Sequence, residues 1–130
     1  MHNAIVAEQP YALAVIMATG DPLRLYSGLS TVVSTAAEAR RCAVLLTFRA
    51  AQIWGAPELE DPGDGVLTPA GRDTFARSLV ELRDTALSLQ AIDVFVCAAT
   101  SELTLVESDL PVISTPRFLR ETAGARLLFV

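Results

Sequence analysis

Ahead of each of three stretches with helical or helix-like spacing, a residue suited to capping a helix is followed directly by proline: Asp21-Pro22, Thr68-Pro69 and Thr115-Pro116. Asp and Thr offer a side-chain oxygen to the unpaired amides of a first helical turn, and proline, which has no amide to leave unpaired, is preorganised for that turn. Between these starts lie short runs that are apolar almost throughout: 11–17 (YALAVIM), 42–48 (CAVLLTF), 92–97 (IDVFVC), 112–114 (VIS) and 126–130 (RLLFV). Runs of that kind, without a regular polar alternation, read as strands buried on both faces, as in a parallel sheet. Behind Pro22, Leu25, Leu29, Val32 and Ala36 recur at helical spacing to about Ala39, with Tyr26 and Val33 widening the stripe. Behind Pro69, Phe75, Leu79, Leu82, Ala86 and Leu89 do the same, and Gly124 suits the end of the third helix. This alternation predicts a three-layer α/β/α sandwich: a five-stranded, mostly parallel sheet with helices on both faces. Nothing in the pattern fixes the order of the strands.

The rest of the chain is less regular. Residues 1–10 read as a loose arm, 50–54 as a single helical turn, and 98–110 as mixed, with a short helix or turn near 107–110. Residues 55–67 (GAPELEDPGDGVL) form one long acidic loop carrying Glu58, Glu60, Asp61 and Asp64, which reads as a lid, as an interface that docks a basic partner, or simply as a mobile, solvated loop. At 130 residues, 52% hydrophobic and 19% charged, the whole is expected to be a single domain, 1–130, with a core that needs no staples.

Several chemistries are excluded by what is missing. All ten basic residues are arginine, so a phosphate-loop lysine, a Schiff-base lysine and a lysine general base are absent. The one histidine is His2, in the arm, which removes a built-in Cys-His or Ser-His pair. Two cysteines far apart with no inner histidine make no recognisable metal site, and no cofactor motif is present. Gly63-Asp64-Gly65 lacks the strand-turn-helix setting of a dinucleotide loop. A net charge of −5 argues against nucleic acid as a partner. No apolar run reaches the length of a membrane span, and the segment before Tyr11 carries Glu8 but no Lys or Arg, unlike a signal peptide. A cytoplasmic location follows as the expectation.

The remaining chemical handle is Cys97. Ile92 to Cys97 gives way at once to small and polar residues, Ala98-Ala99-Thr100-Ser101, so the thiol is placed at the carboxyl end of a strand, where ligands collect in open α/β sheets. Free amides in the following turn would favour the thiolate. Arg24, inside the first helix, and Arg49, after the second strand, fall at the same edge and are candidates to lower the thiol pKa. Thr19 and Gly20, in the turn after the first strand, complete the candidate pocket, and that turn has the form of an anion-holding junction. Cys42 opens its strand and reads as core filler, on the opposite edge from Cys97 by something like 15–20 Å. A disulfide between them is not expected.

With these residues in place, the chain resembles the DsrE/DsrF/DsrH family of small sulfur-relay proteins. The resemblance rests on the order of parts from Tyr11 to Val130: the Gly20-Asp21-Pro22-x-Arg24 turn, the strand 42–48, the cysteine-ending stretch 95–101, and the closing block 116–130. It implies a flavodoxin-like fold that packs into homotrimers or hexamers. It also implies that Cys97 carries a persulfide, taking sulfane sulfur from a TusA-like carrier or a rhodanese and passing it on as a sulfurtransferase. Members without a working cysteine imply the alternative, a non-catalytic oligomeric subunit or a small-molecule-binding regulatory module of the same fold.

Overall fold

A computed structural model describes residues 9–55 and 65–130. Residues 1–8 of the arm 1–10 and most of the acidic loop, with Glu58, Glu60, Asp61 and Asp64, lie outside the described residues. In chain order the elements are β1 (Leu13–Met17), α1 (Pro22–Ala37), β2 (Cys42–Leu46), α2 (Phe48–Gly55), α3 (Pro69–Ser88), β3 (Ile92–Cys97), α4 (Ala98–Leu103), β4 (Val112–Ile113), α5 (Thr115–Glu121) and β5 (Arg126–Phe129). All five strands form one sheet in the order β4-β3-β2-β1-β5, and every pair is parallel.

The strands form where the sequence is apolar throughout because both faces of the central ones are covered. Every residue of β1 and of β2 is buried. Side chains alternate between faces along a strand, and the core divides accordingly. Leu13, Val15, Met17, Cys42, Val44, Leu46, Ile92 and Val94 pack on one face with Leu25, Leu29 and Val32 of α1, Ala51 and Trp54 of α2, and Leu79 and Ala86 of α3. Ala14, Ile16, Ala43, Leu45, Cys97 and Ile113 lie on the other face, under Phe118 of α5. The rings of Tyr26 and Phe75, 5.4 Å apart, join α1 to α3.

Strand order accounts for the unequal layers. From β1 to β4 the chain steps always in one direction, and right-handed crossovers then put every connecting helix on the same face. Only the return from β4 across the sheet to β5 crosses on the opposite side, and its single helix, α5, has seven residues. The second face is therefore thinly covered. On it Leu127 and Phe129, which pair with Ala14 and Ile16, are 52% and 74% exposed. No helix among the described residues is long and apolar enough to cross a membrane.

Local chemistry sets the helix starts. Asp21 Oδ1 accepts the Leu23 N–H at 3.0 Å, and Thr68 Oγ1 accepts the Gly71 N–H at 3.0 Å. Each such cap contributes about 1 kcal/mol. At the third start the cap is Ser114, whose Oγ accepts the Arg117 N–H at 3.3 Å. Thr115, the residue whose position before Pro116 marks it as the cap, is instead the first residue of the helix, and its hydroxyl is left for other work. Two further elements differ from expectation. Strand β2 stops at Leu46 and Phe48 opens the eight-residue helix α2, longer than a single turn at 50–54. After β3 the helix begins immediately, at Ala98, and 107–110 is not helical.

Candidate functional site

Cys97 ends β3 and immediately precedes α4, as the sequence places it. The fold adds a feature that the sequence does not reveal. The connection leaving β3 runs on the first face, where Val106 and Leu110 pack against the α1 side of the core. The connection leaving β4 turns to the second face, where α5 lies. The carboxyl ends of β3 and β4 are thus the point where neighbouring connections diverge, the position at which open α/β sheets form a ligand crevice. Cys97 pairs with Ile113 of β4 at this point and points to the second face.

The thiol is 5% exposed. Burial pushes it toward the neutral form, yet it lies below the ordinary thiol value, because hydrogen bonds outweigh burial. In order of strength these come from the Thr115 hydroxyl, the backbone amides of Thr100 and Ala99, and the Thr100 hydroxyl. Thr115 Oγ1 stands 3.6 Å from Cys97 Sγ. The neutral sulfur makes no capping hydrogen bond at the start of α4, so the amides act on its charged form. Free N–H groups at a helix start favour an anion for the reason that they lack carbonyl partners.

Thr100 is fully buried and has a second function. Its Oγ1 accepts the Phe48 N–H at 2.8 Å, tying the start of α2 to the start of α4. Phe48 has φ 41°, a left-handed backbone that costs a phenylalanine about 1–3 kcal/mol. The hydrogen bond from its amide helps to hold that strained turn. Beside it, Phe48, Arg49, Gln52, Thr104, Leu105 and Val106 line a cleft of about 670 Å³ that does not include Cys97.

The sequence-derived pocket divides into two parts. Cys97, Ala98, Ala99, Thr100 and Ser101 stay together at the β3–α4 junction, with Ser101 exposed. Thr19, Gly20 and Arg24 belong to the β1–α1 junction, and that junction faces β5. The amides of Ala18 and Thr19 both bond the Val130 carbonyl, and Arg24 lines a shallow groove with Leu128, Phe129 and Val130. β2 separates β1 from β3, so these residues lie two strand spacings, about 10 Å, from the thiol's strand. Thr19 Oγ1 is engaged with the Asp21 N–H at 3.0 Å. Arg49 does reach Gly20: a Cβ there would stand 3.0 Å from Arg49 Cδ, so any larger residue would require the Arg49 side chain to shift by a few tenths of an ångström. Neither Arg24 nor Arg49 is among the groups that lower the Cys97 thiol. That work falls to hydroxyls and amides.

No family model matches this chain, and no curated protein matches it either.

Cys42 is the contrast. It is fully buried on the first face, its Sγ lies 3.5 Å from the Arg40 carbonyl and 3.7 Å from that of Val32, and burial pushes its thiol up to about 11. It pairs with Ile92, while Cys97 lies five residues further along β3, so the two thiols occupy opposite edges and opposite faces. Both are free.

Sequence reasoning missed Thr115 and Phe48 as parts of this region. Thr115 was obscured by its resemblance to a cap; the signal was the serine just before it, an equally good capping residue. For Phe48 there was no signal, since a left-handed phenylalanine has no sequence signature. A second cleft, of about 620 Å³, was also not foreseen. It lies on the second face, lined by Tyr11, Arg41, Asp93, Phe95, Ile113 and Arg117 among others. The Tyr11 hydroxyl donates to Asp93 Oδ2 at 2.6 Å, and Arg41 both pairs with Asp93 at 3.1 Å and lies over the Tyr11 ring at 4.0 Å. Burial and the adjacent carboxylate hold the Tyr11 hydroxyl firmly protonated. The network pins the chain entering β1 to the starts of β2 and β3.

Proposed function

We propose that this chain is a cytoplasmic sulfur carrier of the DsrE/DsrF/DsrH kind, with Cys97 as its persulfide-bearing nucleophile. The observation that carries the reading is a thiol held below its ordinary value at the diverging carboxyl edge of the sheet, by hydroxyls and amides alone. Persulfide transfer needs a thiolate and no general base or metal. The Cys97 thiolate attacks the outer sulfur of a donor persulfide; the new bond is Sγ–S, the donor's own S–S bond breaks, and the donor leaves as a thiolate with that electron pair. No net oxidation occurs, and the transferred sulfur moves on by the same exchange. A TusA-like carrier or a rhodanese is the donor this reading calls for. Assembly into trimers or hexamers fits the exposed apolar residues Leu119, Leu127 and Phe129.

The test is mass analysis of the intact protein after incubation with polysulfide, or with thiosulfate and rhodanese. Wild type gains one sulfur atom and Cys97→Ser gains none; an equal gain in Cys97→Ser removes this thiol from the mechanism. A second reading, a non-catalytic subunit or small-molecule-binding module of the same fold, is favoured by one observation, the 5% exposure of Cys97. A native thiol that alkylates no faster than Cys42 supports that reading over the first.

A further inference from the structure

We infer that Thr115 is a positioning residue for the Cys97 sulfur: its hydroxyl, released from capping by Ser114, fixes the sulfur against the start of α5 and donates to it whenever it is ionised. The inference rests on reading Cys97 as the transfer thiol.

The geometry is specific. Thr115 and Cys97 are 18 residues apart in the chain and on different elements, yet Oγ1 and Sγ meet at 3.6 Å. Ser114 already serves the Arg117 amide, so the helix start makes no demand on the Thr115 side chain. Among the described residues the Thr115 hydroxyl has no other hydrogen-bond partner. While the sulfur is a thiol, either atom can be the donor. Once it is a thiolate, only the hydroxyl can donate, and a charge-assisted bond is roughly twice as strong as a neutral one. The pair therefore tightens on ionisation and holds the charged sulfur in one orientation. Thr115 forms and breaks no bond in the transfer and carries no proton away.

Thr100, on the other side, cannot act so independently. Its buried hydroxyl accepts the Phe48 amide at 2.8 Å, so changing it disturbs the strained start of α2 as well. A ranking follows. Removing the Thr115 hydroxyl moves the thiol more than removing that of Thr100, and costs less of the fold.

The experiment follows thiolate ultraviolet absorbance against pH in a Cys42→Ala background, where Cys97 is the only thiol and the readout does not depend on access. Thr115→Val, which keeps the shape and loses the hydroxyl, raises the titration midpoint and cuts the thiolate fraction near neutrality about three- to tenfold. Thr115→Ala, without the bulk, gives the same shift, and Thr115→Ser restores the wild-type curve. Curves for Thr115→Val and Thr115→Ala that superimpose on wild type overturn the assignment; so does a shift that Thr115→Ser fails to restore. Sulfur loading is measured on the same samples. Titration as expected without sulfur uptake by wild type overturns the carrier reading and leaves the positioning role standing. Uptake with unshifted variants overturns Thr115 alone.

Discussion

Replacing Phe118 by alanine removes the one large side chain that holds the second face of the sheet closed. Phe118 is 1% exposed and is the only large buried residue of α5. Its neighbours include Ala14 and Ala43, which are too small to collapse into the space it would leave. Its ring also meets Phe95 edge-on, with centroids 6.3 Å apart and planes at 76°. Phenylalanine-to-alanine changes in cores cost about 3–5 kcal/mol, and the small neighbours put this site at the upper end. Of that, the edge-on ring pair accounts for about 0.5–1.5 kcal/mol. Little else retains the helix: seven residues do not form a stable helix alone, and the Arg117–Glu121 pair, 63% and 45% exposed, contributes less than about 1 kcal/mol. Urea unfolding followed by fluorescence of Trp54, the only tryptophan, measures the cost. Phe118→Ala should lose about 4–5 kcal/mol, and Phe118→Leu, which keeps most of the volume, only about 1–1.5 kcal/mol. A loss below about 1.5 kcal/mol for Phe118→Ala, or equal losses for the two variants, would refute the argument that this ring pins α5.

Two further outcomes test other parts of the structure. Burial holds the Cys42 thiol at about 11 in the fold against 9.0 in the open chain. Its contribution is therefore complete below pH 9 and lost as pH rises from 9 to 11, by up to about 3 kcal/mol. Subtracting the urea stability of Cys42→Ala from that of wild type at each pH should reveal this decline, and a difference that stays flat through pH 11 would contradict it. Ala39, just after α1, takes a left-handed φ of 60° at an exposed position where glycine carries no strain. Ala39→Gly should raise stability by about 0.5–1 kcal/mol, seen as a higher urea midpoint with unchanged slope; a lower midpoint would show that the turn is not strained.

Much of the architecture was legible because it rests on patterns that the chain cannot disguise. The runs at β1 and β2 are buried at every residue, and Leu25, Leu29, Val32 and Ala36 all face the core as their spacing implies. The strand order was not legible, since five apolar strands are interchangeable in composition and only packing selects their neighbours. That omission hid the most informative feature of the site, the divergence of connections after β3 and β4. The pocket drawn from the sequence assumed that all carboxyl-edge turns converge. Thr19, Gly20 and Arg24 instead stand beside β5, across β2 from the thiol's strand. Arg24 and Arg49 read as thiol activators because charge is visible in a sequence. The hydroxyl of Thr115 and the amides of Ala99 and Thr100 are invisible until the chain is folded.

The placement of the two cysteines has a practical consequence. Cys42 lies beneath the α1 side of the core and Cys97 beneath the short helix α5. A brief pulse of a thiol reagent on the native molecule would read only the edge where α5 can lift. Label on the other sulfur would appear on the schedule of global unfolding, so a single chain reports local breathing and complete denaturation as separate clocks.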